Sequence, residues 1–187
     1  MDPGLIWLIF FAVLGGGIKA VDRAYDDMDL DKRLALLLTP FLAFLWVYLS
    51  LGSAMSATIL GAIFLSSLLT GKIDNQAFKL STLIVAAAFL VEGFEIMVLP
   101  LLFLTFLGSV DEFANGYADR NKLHGHRTFI FEHRFGMKVG VALLYAISVL
   151  DLMHILALYS FDLAYEAVTT KRISYYRTAL NRVWGWA

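Results

Sequence analysis

The chain contains no cysteine. That excludes disulfides, thiolate metal sites and a cysteine nucleophile. Charge is scarce as well: Asp, Glu, Lys and Arg make up 17% of the 187 residues, where a soluble domain carries about 25%. Neither sign dominates, since the net charge is −1, so no overall field points to nucleic acid. The opening Met1-Asp2-Pro3-Gly4 lacks the basic stretch of a secretory signal, and the first apolar run therefore reads as a retained helix.

What the chain has instead is apolar length. Hydrophobic residues make up 59% of it, and the mean hydropathy is +0.71. The apolar runs are continuous, whereas the strands of a membrane barrel alternate apolar and polar. The sequence thus predicts an all-α, polytopic transmembrane helical bundle forming one domain over residues 1–187, with an interfacial C-terminal tail over 168–187.

A span needs about 20 mostly apolar residues. Helices are expected over 4–27, 34–51 and 54–75, with a tight Gly52-Ser53 hairpin between the second and third. Residues 79–108 as one helix would measure about 45 Å, too long for a single span. Pro100 suits a helix's first turn better than its interior. The stretch is therefore split into 79–97 and 99–120. A last helix is expected over 138–167. Tyr175, Tyr176, Trp184 and Trp186 then suit the headgroup belt. This gives six spans, with five as the alternative if 79–108 stays whole.

Six spans put three acidic segments on one side, near residues 21–27, 71–75 and 108–119. Lys19, Arg23, Lys32, Arg33, Lys72, Lys79, Arg120, Lys122, Arg127, Arg134 and Lys138 fall there too. Only the four basic residues of the tail fall opposite, so the positive-inside rule makes the acidic side cytoplasmic.

Acids beside a membrane core are costly unless something cationic binds them. Asp22 and Asp26 stand at i and i+4 and share a helix face. Asp111, Asn115 and Asp119 continue that spacing into one polar stripe. Gly108 and Gly116 would let a helix or ligand approach that stripe. Mg²⁺ is the usual ion for one or two carboxylates shared with substrate phosphates, so Asp22, Asp26, Asp74, Asp111 and Asp119 are candidate metal ligands. The structural alternative is that helices end in ordinary polar caps and solvated turns.

The stretch Asn115-Gly-Tyr-Ala-Asp119-Arg120, with Arg127 downstream, resembles the first aspartate-rich motif of the UbiA-type intramembrane prenyltransferases. Asp22-Arg-Ala-Tyr-Asp26 is similar to that family's second element. The likeness covers about 20 residues, with Leu123 where a third acid would stand and the two elements in reversed order. It implies Mg²⁺ on a prenyl diphosphate, with Asp22, Asp26, Asn115 and Asp119 at the catalytic centre, to which the polar stripe adds Asp111. Arg23, Arg120, Lys122 and Arg127 would bind phosphate, since Arg suits bidentate recognition of phosphate oxygens.

Other features compete. The basic loop residues satisfy positive-inside topology in any membrane protein. His124, His126, Glu132 and His133 could ligate a transition metal, but at no established spacing. Asp151 and His154, at i and i+3, would lie mid-span in the last helix, as a functional pair, a proton relay or a helix–helix hydrogen bond. Glu92 and Glu95 read as interfacial. Gly15-Gly16-Gly17 would permit close helix packing or flexibility near the site. Three functions follow. The leading one is a Mg²⁺-dependent membrane enzyme, a transferase acting on a prenyl diphosphate or other lipid-linked phosphate. The alternatives are an ion- or proton-coupled transporter or channel and a non-catalytic membrane subunit. The expected partner is a membrane lipid or isoprenoid substrate.

Overall fold

A computed structural model describes residues 4–26, 31–120 and 135–168. Among these the chain is all-helical, in seven helices: α1 Leu5–Asp26, α2 Lys32–Gly52, α3 Ala54–Leu69, α4 Gln76–Glu92, α5 Val98–Arg120, α6 Phe135–Ala146 and α7 Leu152–Ala167. Three segments, Leu5–Asp26, Lys32–Gly52 and Val98–Tyr117, are long and apolar enough to cross a membrane. The flanks of the bundle are apolar too. Leu37, Leu83, Leu90 and Leu99 are 74%, 67%, 86% and 80% exposed, a surface suited to lipid rather than water.

Polar side chains set the helix starts. Asp31, Ser53, Asn75 and Asp151 cap α2, α3, α4 and α7, each accepting a backbone N–H of the first turn, a role these residue types fill well. The hairpin at Gly52-Ser53 is where the sequence places it. The split of residues 79–108 is also found, but the break is at Gly93–Met97. Gly93 closes α4 at φ +65°, a conformation glycine adopts without penalty. Pro100 lies in the first turn of α5, as its missing N–H allows.

One expected element is corrected. The single last helix over 138–167 is two helices, α6 and α7, separated by residues 147–151. Ser148 takes a left-handed φ of 61°, and Asp151 restarts the helix as a cap. The chain therefore turns back where a continuous helix was expected.

Contacts fix the directions. Trp7 meets Gly52 and Ser53 meets His154, so α1, α3 and α7 all start at one end, the cap end. A Cβ on Gly15 would lie 2.1 Å from the Phe161 carbonyl oxygen, so the α1 and α7 backbones touch. Further along, Arg23 reaches Val168; the two helices run side by side in the same direction. α3 and α5 do likewise, Gly61 facing Leu101 and Gly108 facing Ser66. α6 runs against α5, with Gly136 at Asp111 and Gly140 at Leu104 and Leu107. The core between the ends is packed by Phe11, Leu14, Ile59, Leu60, Leu158 and Phe161. Because α7 returns, Val168 lies at the Arg23 end, not at the opposite one expected for the tail; the tail itself lies outside the described residues.

Candidate functional site

The ends of α1, α3, α5 and α7 and the starts of α2 and α4 converge on one cavity of ≈ 670 Å³. Its inner wall is apolar: Leu14, Leu42, Trp46, Ile63, Phe64, Val85 and Phe161. Its other wall carries the carboxylates of Asp22, Asp26, Asp74, Asp111, Glu112 and Glu166, with Asn115, Tyr165, Lys19 and Lys72. Six acids thus face two lysines. The three acidic segments, far apart in sequence, meet here.

Each acid has a local setting. Lys19 donates to Asp22 across one helical turn, Nζ to Oδ2 at 2.6 Å, and stands 5.3 Å from the Tyr165 ring centre. Lys72 pairs with Glu112 at 3.6 Å. Asp74 lies in the α3–α4 turn, one residue before the Asn75 cap. Asp111 is 8% exposed, and its two oxygens accept the N–H groups of Gly136 and Met137 at 2.9 and 2.8 Å. It therefore caps α6 from another helix, where a carboxylate also meets the positive end of the helix dipole.

Arg23 takes a different place from the one its sequence context implies. It is buried, is not among the cavity-lining residues, and donates from Nη1 to the Val168 carbonyl at 3.0 Å. A cation at the C-terminus of α7 satisfies one of its orphan carbonyls. The side chains of Asp119 and Arg120, and residues Lys122, His124, His126, Arg127, Glu132 and His133, lie outside the described residues.

Glu112, Glu166 and Tyr165 belong to the cavity but were not singled out from the sequence. A signal existed for one of them: Asp162 and Glu166 stand at i and i+4 near the end of α7, the spacing used for Asp22 and Asp26. Lys138 of α6 joins that pair, in ion contact with Asp162 and 3.5 Å from Glu166. In the sequence, Asp151 and His154 draw attention away from that pair.

Those two residues are not mid-span. Asp151 precedes α7 at the cap end and is exposed, while His154 in the first turn is buried. Asp151 Oδ1 accepts from the His154 amide at 3.0 Å and lies 2.5 Å from His154 Nδ1. Partial burial opposes ionisation of Asp151, but these hydrogen bonds outweigh it and hold the carboxyl below its ordinary range.

Among the described residues, no group of three or more His, Asp or Glu is arranged to hold a metal ion by itself. An ion here would take one or two carboxylates and complete its shell with water and ligand oxygens, which is the habit of Mg²⁺. The all-oxygen donor set of this wall fits that habit. Comparison with protein-family models, curated proteins and solved structures returns no match.

Proposed function

We propose that this is a multi-pass membrane protein that takes the head of a lipid-linked phosphate, most concretely a prenyl diphosphate, into the acidic end of the cavity. The observation that carries this reading is the joining of an apolar wall to a carboxylate-rich wall within one cavity. An isoprenoid chain would lie against Trp46, Phe64 and Phe161. Lys19 and Lys72 would face phosphate oxygens. A wall of six carboxylates and two lysines repels a bare anion, so the ligand needs a divalent cation. Asp22, Asp26, Asp74 and Asp111 are the described donors for Mg²⁺, with Asp119 the further candidate from the sequence. Bound there, Mg²⁺ would neutralise charge developing on a departing diphosphate. The transferase reading rests on this and on the resemblance of the Asp22–Asp26 and Asn115–Asp119 elements to the UbiA-type enzymes.

The charge distribution supports a cytoplasmic acidic end. Lys19, Arg23, Lys32, Arg33, Lys72, Lys79 and Lys138 fall toward that end, whereas the turns at Gly52-Ser53, Gly93–Met97 and residues 147–151 carry no lysine or arginine. Between the ends the buried polar residues among those described are the hydroxyls of Thr39, Ser50, Ser56, Thr58, Ser66 and Thr105, with no carboxylate or lysine among them, which favours a binding pocket over a charged path through the bundle.

The test is binding of geranylgeranyl diphosphate to the purified protein in detergent. Affinity is expected to fall in chelator. In Asp22→Asn/Asp26→Asn it is expected to fall by roughly 1.5–3 kcal/mol, about 10- to 150-fold. Binding unchanged in both conditions, or no saturable binding at all, overturns the reading.

A further inference from the structure

At the end of the bundle away from the cavity, three side chains form a hydrogen-bonded chain. Ser53 Oγ lies 2.9 Å from His154 Nε2. His154 Nδ1 lies 2.5 Å from Asp151 Oδ1. Ser53 stands in the α2–α3 hairpin, and the other two flank the start of α7, so the folding back of the last two helices is what brings them together.

The partners assign the protons. An ionised Asp151 only accepts, so Nδ1 carries the imidazole proton and Nε2 is left as an acceptor. Ser53 Oγ accepts the Ser56 N–H at 3.0 Å, which leaves its own proton for Nε2. This is the tautomer and orientation in which an imidazole serves as base toward a hydroxyl. Helix capping alone does not require the ring: Ser53 caps α3 through Ser56, and Asp151 caps α7 through the His154 amide.

Asp151, one end of the chain, lines a second, open pocket of ≈ 490 Å³ together with Met55, Tyr145, Ser148 and Leu152; His154 is buried beneath it. Ser53 itself is half-buried. Its lining includes Met55, Ala146, Leu150 and Leu152 beside the polar Asp151, Ser148 and Tyr145, so an amphiphile at the edge of a bilayer suits it. The amides of Ala54 and Met55 belong to the first turn of α3, where N–H groups have no acceptor within the helix. Such donors stabilise a developing oxyanion.

We propose that Ser53, His154 and Asp151 form a nucleophilic site that hydrolyses a carboxylic ester of a membrane amphiphile. Ser53 Oγ bonds to the ester carbonyl carbon while its proton passes to His154 Nε2. The carbon–oxygen bond to the alcohol breaks, and the alcohol oxygen takes that proton. Water then adds to the acyl-Ser53 carbonyl, giving a proton to Nε2. The bond to Ser53 breaks, Oγ recovers the proton, and the carboxylic acid leaves. Asp151 is a positioning residue that holds the ring and its tautomer. This site is independent of the acidic cavity.

The test uses the full chain in detergent micelles with an alkyl fluorophosphonate and with p-nitrophenyl octanoate. The expected result is one covalent adduct on Ser53 and ester hydrolysis that Ser53→Ala abolishes. His154→Gln should slow both reactions by about 10²–10⁴. Asp151→Asn keeps a good helix cap, so it should slow hydrolysis by about tenfold or more while the protein stays folded. Because the chain has no cysteine, Ser53→Cys supplies a single thiol even if Ser53→Ala does not fold. Iodoacetamide should alkylate that thiol faster than in Ser53→Cys/His154→Gln. No adduct on Ser53 in the folded wild-type protein, or equal rates with and without His154, overturns the proposal.

Discussion

Asp111 holds the start of a helix that lies 25 residues further along the chain. Each of its oxygens accepts one backbone N–H, and Gly136 leaves them room: a Cβ there would stand 2.8 Å from Oδ1. Asp111→Ala should therefore cost about 1–3 kcal/mol in thermal unfolding of the purified protein, from a lost cap and stranded buried amides. Gly136→Ala should destabilise in the same direction. If Asp111→Ala leaves the unfolding temperature unchanged, the capping role is excluded. Gly15 makes a parallel case, because a side chain there meets the Phe161 backbone rather than a movable group. Gly15→Ala should cost about 1–3 kcal/mol, whereas Gly4→Ala, with open space around it, should be neutral. The stripe of Asp111 and Asn115 could be read from spacing alone, because four residues return a helix to the same face. The partner of Asp111 could not, because no local pattern links a carboxylate to amides on another helix. Arg23 is a case of the same kind: its neighbours in sequence are acids of the cavity, and no local pattern links its guanidinium to the Val168 carbonyl.

Most helices could be read from apolar length, and the Gly52-Ser53 hairpin from its own two residues. The turn between α6 and α7 could not. Residues 147–150 are as apolar as the helices around them, apart from Ser148, and hydropathy does not register one left-handed backbone position. The clue is Asp151, a strong capping residue directly before the apolar run resumes at Leu152. As a cap rather than a buried mid-span charge, it starts the second half of the hairpin and sets Asp151 and His154 at the end of the bundle. The cap has a pH signature. The folded carboxyl titrates below its ordinary value of 3.8, so its ionised form stabilises the fold above that pH, and the contribution is lost as pH falls through the lower folded value. Asn does not titrate. The unfolding temperature of wild type should therefore exceed that of Asp151→Asn at pH 6, with the gap narrowing toward pH 3. A gap that widens on acidification would remove this account of the cap.

Across the molecule, the two ends differ in kind. One gathers carboxylates and lysines around an apolar-walled cavity, and the other closes with short turns that carry caps but no lysine or arginine. An apolar flank joins them. Convergence of the acidic segments on one cavity follows from alternating helix directions, which apolar runs and short turns made legible; its shape depends on glycine contacts between α1 and α7 that spacing does not specify. If the flank faces lipid, the two ends face opposite sides of the membrane, and the positive-inside rule orients them. The cysteine-free chain allows a direct test with single cysteines and a membrane-impermeant maleimide. Lys32→Cys and Gln76→Cys, exposed at the starts of α2 and α4, should label only from the cytoplasmic side. Glu95→Cys and Ile147→Cys, exposed in the α4–α5 and α6–α7 turns, should label only from the other. Reversed labelling of all four would keep the fold and invert its orientation. Labelling of Ile147→Cys from the same side as Gln76→Cys would instead show that α6 and α7 do not carry the chain across, and the hairpin that unites Ser53, Asp151 and His154 would have to be redrawn.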